Sequence, residues 1–244
     1  MISTPDLSVI IPAHNEEKFL PVCLAGVGRA GEYAQLEIEV VVVLNRCTDG
    51  TERIARETGA VIVREDEANL AKIRNAGAER ARAPVLVTCD ADSVPHEKVF
   101  DEIWRKLQGG RFVGGGCLTV PERWSLGIVC SLGAVMPYLA WHGVSFGLFW
   151  CRREDFRAIG GFNERLLSVE DLDFAKRLRA WGRKRGLRYG TAWSPLVTSC
   201  RKFDQFGDWY LFAHPRAVWR VFRGTDREVA DRYWYEVGRG KSSE

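Results

Sequence analysis

Two acidic pairs in the sequence have the residue types that metal binding and proton transfer require. Asp90 and Asp92 follow the apolar run from Val85 to Cys89, which we interpret as a buried strand. Open α/β sheets bind ligands at the carboxyl ends of their strands. Mg²⁺ or Mn²⁺ prefers a few protein carboxylates, with phosphate oxygens and water completing its shell. The pair therefore predicts a divalent cation on a phosphorylated ligand, and a polar turn that caps the next helix is the structural alternative.

The second pair, Glu170 and Asp171, opens an amphipathic helix. Phe174 and Leu178 belong to its apolar stripe, so Asp171, three residues before Phe174, is expected to face inward. Burial raises the pKa of a carboxyl group, which suits a general base. The alternative is a capping box in which Asp171 reaches back to the amide of Ser168.

Three other turns add polar side chains at the same predicted sheet edge. The first, Pro12 to Glu17, lacks the G-x-G-x-x-G fingerprint of dinucleotide-binding proteins and could simply cap a helix. Asn45 ends the next strand and can both donate to and accept from a base edge. Lys72 and Arg74 lie near a helix N-terminus, where a diphosphate would bind, or they are solvated charges.

The elements that must position these residues alternate regularly over the first ninety residues. Apolar and β-branched runs alternate with helical periodicity and short turns, which gives a β-α-β-α-β-α-β order. Such an order requires a mostly parallel sheet with helices on both faces. The predicted fold class is α/β, with residues 1–120 and 121–244 forming two halves of a single domain.

A long uncharged segment runs from Trp124 to Cys151. It is long enough to cross a bilayer, but crossing would separate the two acidic pairs, and Pro137 and several glycines interrupt it. Two interpretations remain: a buried helix followed by a strand, or a helix lying against a membrane surface. Aromatic residues near the C-terminus could meet the same surface: Trp209, Tyr210, Phe212 and Trp219.

Composition limits the class of protein further. The net charge of +3 over 244 residues gives no argument for nucleic acid as a partner. Seven cysteines without a C-x-x-C pair predict reduced thiols and a cytoplasmic protein. Asp6 interrupts the N-terminal apolar stretch, so no secretory signal is expected.

Several motifs occur in the order in which they occur in one enzyme family. They are the segments Val9 to Glu17, Leu44 to Thr51, Lys72 to Gly77, Asp90 to Asp92, Gly160 to Glu164, and Glu170-Asp171. Together they resemble glycosyltransferase family 2, and the resemblance extends from about Leu7 to Trp181. It implies the GT-A fold, a Rossmann-like, mostly parallel mixed sheet, and an inverting transfer of one sugar from a nucleotide-diphosphate sugar.

The resemblance also implies roles for individual residues. Asp171 would be the general base with Glu170 beside it, and Asp92 would hold Mg²⁺ or Mn²⁺. Gly161 and Phe162 would line the acceptor pocket. The nucleotide-sugar would contact Pro12, Ala13, Glu16, Asn45, Lys72, Arg74, Asp90 and Ala91. Residues 1–120 would then bind the donor, and residues 121–244 the acceptor.

Departures from the family pattern bear on specificity. Leu44 and Asn45 replace the usual two aspartates, so uridine is not assumed, and the Q-x-x-R-W of processive synthases is absent.

Arg201 and Lys202 either close on the diphosphate or form a basic surface loop. The acceptor is a glycan, a lipid-linked molecule or a small molecule. A nucleotidyltransferase and a non-catalytic sugar-nucleotide-binding protein are the alternative functions.

Overall fold

The structure is a computed structural model that describes residues 4–142 and 144–214. One eight-stranded sheet runs through it in the order β3-β2-β1-β4-β7-β6-β8-β5. The strands are β1 Leu7–Ala13, β2 Ile38–Leu44, β3 Val61–Arg64, β4 Val85–Thr88, β5 Ser93–Pro95, β6 Phe112–Pro121, β7 Phe146–Arg152 and β8 Arg188–Thr198. The helices are α1 Leu20–Ala34, α2 Thr51–Glu57, α3 Leu70–Arg80, α4 Val99–Gln108, α5 Leu126–His142, α6 Arg153–Ala158, α7 Glu170–Lys184, α8 Arg201–Phe206 and α9 Tyr210–Ala213.

The sheet confirms the predicted fold class. Strands β1 to β4 form a parallel unit in which β1 pairs with β2 and β4, and β2 pairs with β3. Strand β7 then adds antiparallel to β4 and to β6, while β6 and β8 are parallel. Because parallel strands direct all their carboxyl ends to one edge, the turns after β1, β2 and β4 converge.

Helices cover both faces of the sheet because side chains alternate along each strand. In β1, Leu7, Val9 and Ile11 pack in the core cluster that contains buried residues of α1 and α4. Ile10 belongs to the cluster on the opposite face, with buried residues of α3 and α7. The sheet therefore positions α3 and α7 on the same face. Both helices begin at the edge where β1, β2 and β4 end.

The uncharged segment folds as helix α5 followed by strand β7. Residues 148–151 of the strand are buried, with Trp150 fully enclosed, as the burial interpretation predicted. The helix is buried along only one side: Ile128 is enclosed, whereas Leu126 is 71% exposed and Trp141 is 87% exposed. The burial interpretation thus holds for the strand and for one side of the helix, and contact of the exposed side with a membrane stays a prediction.

No helix in the described ranges is both long and apolar enough to cross a membrane. Of the aromatic residues near the C-terminus, Trp209, Tyr210 and Phe212 lie on or beside α9, and Trp219 lies outside the described residues.

Candidate active site

A cavity of about 330 Å³ opens where β1, β2 and β4 end. The start of α7 and the start of α8 complete its wall. Both acidic pairs, eighty residues apart in the chain, face this one space. The predicted site residues that line it are Pro12, Ala13, Glu16, Asn45, Arg74, Asp90, Ala91, Asp92, Glu170 and Asp171.

Three predicted site residues do not line this cavity: Lys72, Gly161 and Phe162. The ammonium group of Lys72 pairs instead with Glu67 on the protein surface. Phe162 is 1% exposed, and its ring stacks on that of Phe174 with 4.3 Å between centroids. Their expected contacts with donor or acceptor find no support in this geometry.

The Gly161–Phe162 turn instead forms hydrogen bonds that connect α3 to the segment before α7. Asn75 accepts a hydrogen bond from the Phe162 amide at 2.8 Å and donates one to its carbonyl at 2.9 Å. Gly161 has φ +64°, and a Cβ there would lie 2.6 Å from Asn75 Oδ1, so a side chain would both strain the backbone and clash. The sequence analysis missed Asn75, although it lies within the Lys72 to Gly77 motif.

Arg74 joins the two acidic pairs. Its Nη1 donates to Glu170 Oε1 at 2.7 Å, and its Nη2 donates to Asp90 Oδ1 at 2.9 Å. The residue is only 3% exposed. Asp90, by contrast, keeps 43% of its side chain exposed, so this carboxylate remains open to a ligand.

Arg201, the first residue of α8, makes a second bridge between two carboxylates of the cavity wall. Its Nη1 donates to Glu16 Oε2 at 2.8 Å, and its Nε lies 3.0 Å from Asp92 Oδ2. Arg201 and Lys202 both line the cavity. Their position therefore favours a role in ligand binding over a basic surface loop.

Asn45 is fully buried, and its side chain points into the protein. Its Nδ2 donates to the carbonyls of Glu65 at 2.5 Å and Glu67 at 2.9 Å, which fixes the loop after β3. The amide hydrogens that were expected to contact a base are therefore engaged in this conformation.

Burial controls the charge state of the acidic side chains. It raises the pKa of Glu170 to about 7, against the opposing attraction of the Arg74 guanidinium. The pKa of Asp171 is also raised by burial, and Arg74 again opposes the shift. Burial likewise raises the pKa of Asp92 and of Glu16, where Arg201 is the opposing charge. Such carboxyl groups exchange protons nearer to neutral pH than exposed ones do.

The charges of the cavity wall fit a divalent cation. Five carboxylates face three cations among the described lining residues, which leaves a formal charge of −2. Asp92 can reach a cation there, since its carboxylate lines the cavity and is 12% exposed. In the described ranges no three His, Cys, Asp or Glu side chains form a metal-holding group. Asp92 would therefore share the cation with oxygens of a bound ligand, as Mg²⁺ and Mn²⁺ commonly allow.

Further lining residues were not anticipated from the sequence: Thr119, Gly147, Leu196 and Thr198. Gly147 has φ +90°, and a Cβ there would lie 2.3 Å from Thr119 Oγ1. A glycine inside an apolar strand often marks such a close approach. Gly147 could therefore have been predicted from the sequence as a residue of the site. Leu196 and Thr198 lie on β8, a strand that the sequence analysis did not predict.

Comparison with protein families decides the class of this site. A model described as glycosyl transferase family 2 matches residues 8–160, more than half of the chain. The chain belongs to glycosyl transferase family 2. The match includes Asp90 and Asp92 but ends before Glu170 and Asp171. Neither the nucleotidyltransferase nor the non-catalytic alternative finds support in this match.

Curated relatives of this family 2 glycosyltransferase match over part of their length. Glycosyltransferase AglE of Haloferax volcanii is 33% identical over 105 residues, which are 40% of this chain and 34% of that protein. The undecaprenyl-phosphate 4-deoxy-4-formamido-L-arabinose transferase of Aeromonas hydrophila is 30% identical over 117 residues, 44% of this chain and 36% of that protein. The matched part of the chain thus spans about a third of these relatives.

Solved structures share the GT-A fold. TarS of S. aureus, in complex with UDP-GlcNAc, superposes with a TM-score of 0.63 at 16% identity, covering 80% of this chain and 58% of that one. The mannosyltransferase PcManGT of Pyrobaculum calidifontis, in complex with GDP-Man and Mn²⁺, gives a TM-score of 0.61 at 21% identity, covering 80% and 57%. Those structures hold nucleotide-sugars, and one of them also holds Mn²⁺.

Proposed function

We propose that this family 2 glycosyltransferase moves one sugar from a nucleotide-diphosphate sugar to an acceptor hydroxyl, with inversion at the anomeric carbon. The observation that carries the proposal is the shared cavity of Asp92 and Asp171. Asp92 follows β4 at the end of the parallel strands, and Asp171 lies in the first turn of α7. A donor between them would expose its anomeric carbon to an acceptor beside Asp171.

In this mechanism, Asp171 accepts the proton of the attacking hydroxyl as the new glycosidic bond forms. Desolvation raises the pKa of this partly buried carboxyl group, which makes it a better proton acceptor than a fully exposed aspartate. Asp90 accepts a hydrogen bond from a ribose hydroxyl. Arg201 and Lys202 contribute positive charge near the leaving diphosphate. A single displacement of this kind inverts the anomeric centre.

Asp92 is the residue that would hold Mg²⁺ or Mn²⁺, together with oxygens of the donor diphosphate. The ion would supply Lewis-acid stabilisation of the charge that develops on the leaving group.

The base assignment is tested by Asp171→Asn. The amide cannot accept the proton, so the transfer rate should fall by about 10²-fold or more. Binding of UDP or GDP with Mn²⁺, measured by calorimetry, should change little because Asp171 lies on the acceptor side. Transfer is followed as nucleoside diphosphate released from a panel of UDP- and GDP-sugars with candidate acceptors.

Asp173→Asn is the matched control. Asp173 lies on the same helix, pairs with Arg177 at 2.6 Å and does not line the cavity. This variant should transfer sugar at the wild-type rate. Normal transfer by Asp171→Asn would show that the base is another group.

We further propose that the protein works at the cytoplasmic face of a membrane, on a lipid-linked acceptor. The support is the exposed apolar surface of α5 and α9, where Trp141 is 87%, Leu126 71% and Phe212 49% exposed. Amphipathic aromatic residues favour the membrane interface, where apolar and polar surroundings meet. All seven cysteines are free thiols, in keeping with a reducing compartment.

Flotation with vesicles of equal parts phosphatidylcholine and phosphatidylglycerol tests this contact. Wild-type protein should float with the vesicles, and Trp141→Ser should float several-fold less, because burying an indole in the interface is favourable. Trp193→Ser is the control, since Trp193 is 67% exposed on β8, next to α4 rather than α5. An equal loss in both variants, or no flotation of the wild type, would rule out contact through α5.

A further inference from the structure

We propose that Arg74 is a positioning residue for the base, which acts through Glu170 and Asp171 and does not bind the donor diphosphate. The inference rests on the function proposed above. It differs from the role that the family resemblance implies, in which Arg74 contacts the nucleotide-sugar.

Little of the Arg74 guanidinium group is available to bind a nucleotide-sugar. Nη1 and Nη2 are each hydrogen-bonded to a carboxylate, Glu170 and Asp90. Nε is buried and has no hydrogen-bond partner in the described part of the chain. The guanidinium carbon lies 5.2 Å from the centroid of the Phe162 ring, within the range of a cation–π contact. Two carboxylates and one aromatic ring therefore hold Arg74 in place.

The same contacts place α7. Glu170 is its first residue and is 3% exposed, so its ion pair with Arg74 fixes the first turn of the helix against α3. Asp171 is the next residue and lines the cavity. A buried arginine bound to Glu170 therefore determines where the carboxyl group of Asp171 lies.

Arg74 also sets the electrostatics of the pair. Glu170 is buried and Asp171 is partly buried, the charge of Asp171 disfavours ionisation of Glu170, and Arg74 favours the ionised form of each. The other groups facing them are Asp90 after β4, Tyr189 on β8 and Lys202 on α8. Asp90 opposes ionisation of both carboxyl groups, and Arg74 is the main group that favours it.

The first test is Arg74→Gln, read by ¹³C NMR titration of labelled Asp and Glu carboxyl groups. Loss of the guanidinium should raise the pKa of Glu170 and Asp171 by about 1 to 3 units. The dissociation constants of UDP and GDP with Mn²⁺ should change by less than tenfold. A direct contact with the diphosphate would cost tenfold or more, since hydrogen bonds to charged groups are the strong ones.

Two results would overturn the proposal: unchanged carboxyl titration, or nucleotide binding weakened tenfold or more. Neither readout depends on sugar transfer. If the carboxyl groups titrate as expected but the wild-type protein transfers no sugar, only the proposed function is refuted.

Removal of a buried charge partner can prevent folding, so a second variant is needed. Glu170→Gln preserves the side-chain shape and can still accept a hydrogen bond from Arg74. Burial raises the pKa of Asp171 and Arg74 opposes that shift, so with Arg74 still present the pKa of Asp171 should stay close to its wild-type value, in contrast to its rise in Arg74→Gln. A rise in Glu170→Gln as large as that in Arg74→Gln would show that the Arg74 charge is not what lowers the pKa of Asp171 and would end the proposal.

Discussion

At the scale of single residues, the site depends on carboxyl groups that the fold removes from water. Glu170 is the clearest case, since burial raises its pKa to about 7 although Arg74 lies 2.7 Å away. The ion pair offsets desolvation only partly, which is common for buried charges. Removal from water therefore has a larger effect on the pKa of this group than its ion pair with Arg74 does.

This shift has a consequence for stability. Between the ordinary value of 4.5 and about 7, the folded protein holds a proton on Glu170 that the unfolded chain has released. The free energy of unfolding contributed by this group is thus complete below pH 4.5 and declines as pH rises towards 7. Glu170→Gln, which cannot titrate, should lose less thermal stability than wild type between about pH 5 and pH 7.

Thermal unfolding followed by circular dichroism at several pH values gives the comparison. Parallel curves for the two proteins would contradict a raised pKa at Glu170. Asp173→Asn, which alters a partly exposed carboxyl group on the same helix, should follow the wild-type curve.

Asn45 shows what residue type alone leaves undecided. Its position after β2 was predicted correctly, but its amide donates to carbonyls of Glu65 and Glu67 twenty and twenty-two residues away. Nothing in the local sequence indicates those partners, because backbone carbonyls are present at every residue. Its part in recognising a base stays a prediction.

At the scale of elements, the site needs α3 to lie very close to the sheet. Gly77 makes this possible, since a Cβ there would lie 2.4 Å from Ile10 Cγ2 and 2.8 Å from Val43 Cγ2. Those two side chains belong to the central strands β1 and β2. The helix that carries Arg74 can therefore approach the sheet only through a residue without a side chain.

Gly77→Ala should reduce the free energy of unfolding by about 1 to 3 kcal/mol, because an added methyl group overpacks a dense core. The matched control is Gly133→Ala in α5, where a Cβ would meet nothing within 4 Å. That change should stabilise the protein by up to about 1 kcal/mol, since alanine favours helix. Urea denaturation measures both, and equal effects of the two substitutions would disprove close packing at Gly77.

At the scale of the whole molecule, one sheet joins the two halves of the chain. Strand β7 from the second half lies between β4 and β6 of the first half, and β8 pairs along β6. Trp150 of β7 is fully buried and donates a hydrogen bond to the carbonyl of Gly116. The division of donor and acceptor binding between the halves stays a prediction, but their folding is expected to be shared.

Residues 1–120 alone should therefore not fold. Without β7 and β8, strand β6 has neither of its neighbours and β4 has an open, apolar edge. The fragment should show no cooperative thermal transition by circular dichroism, whereas the full chain should. A cooperative transition in the fragment would mean that the first half is an independent domain.

The sequence by itself determined the repeated β-α order, the sheet edge and most residues of the candidate site. These follow from periodicity and from residues that end strands, which are local properties of the chain. Only the tertiary structure decided that Arg74 bridges the two acidic pairs, that Phe162 turns away from the cavity and that β8 brings Leu196 and Thr198 to it. Those contacts join residues up to about a hundred positions apart. They depend on how finished elements pack together, which no local pattern of residues specifies.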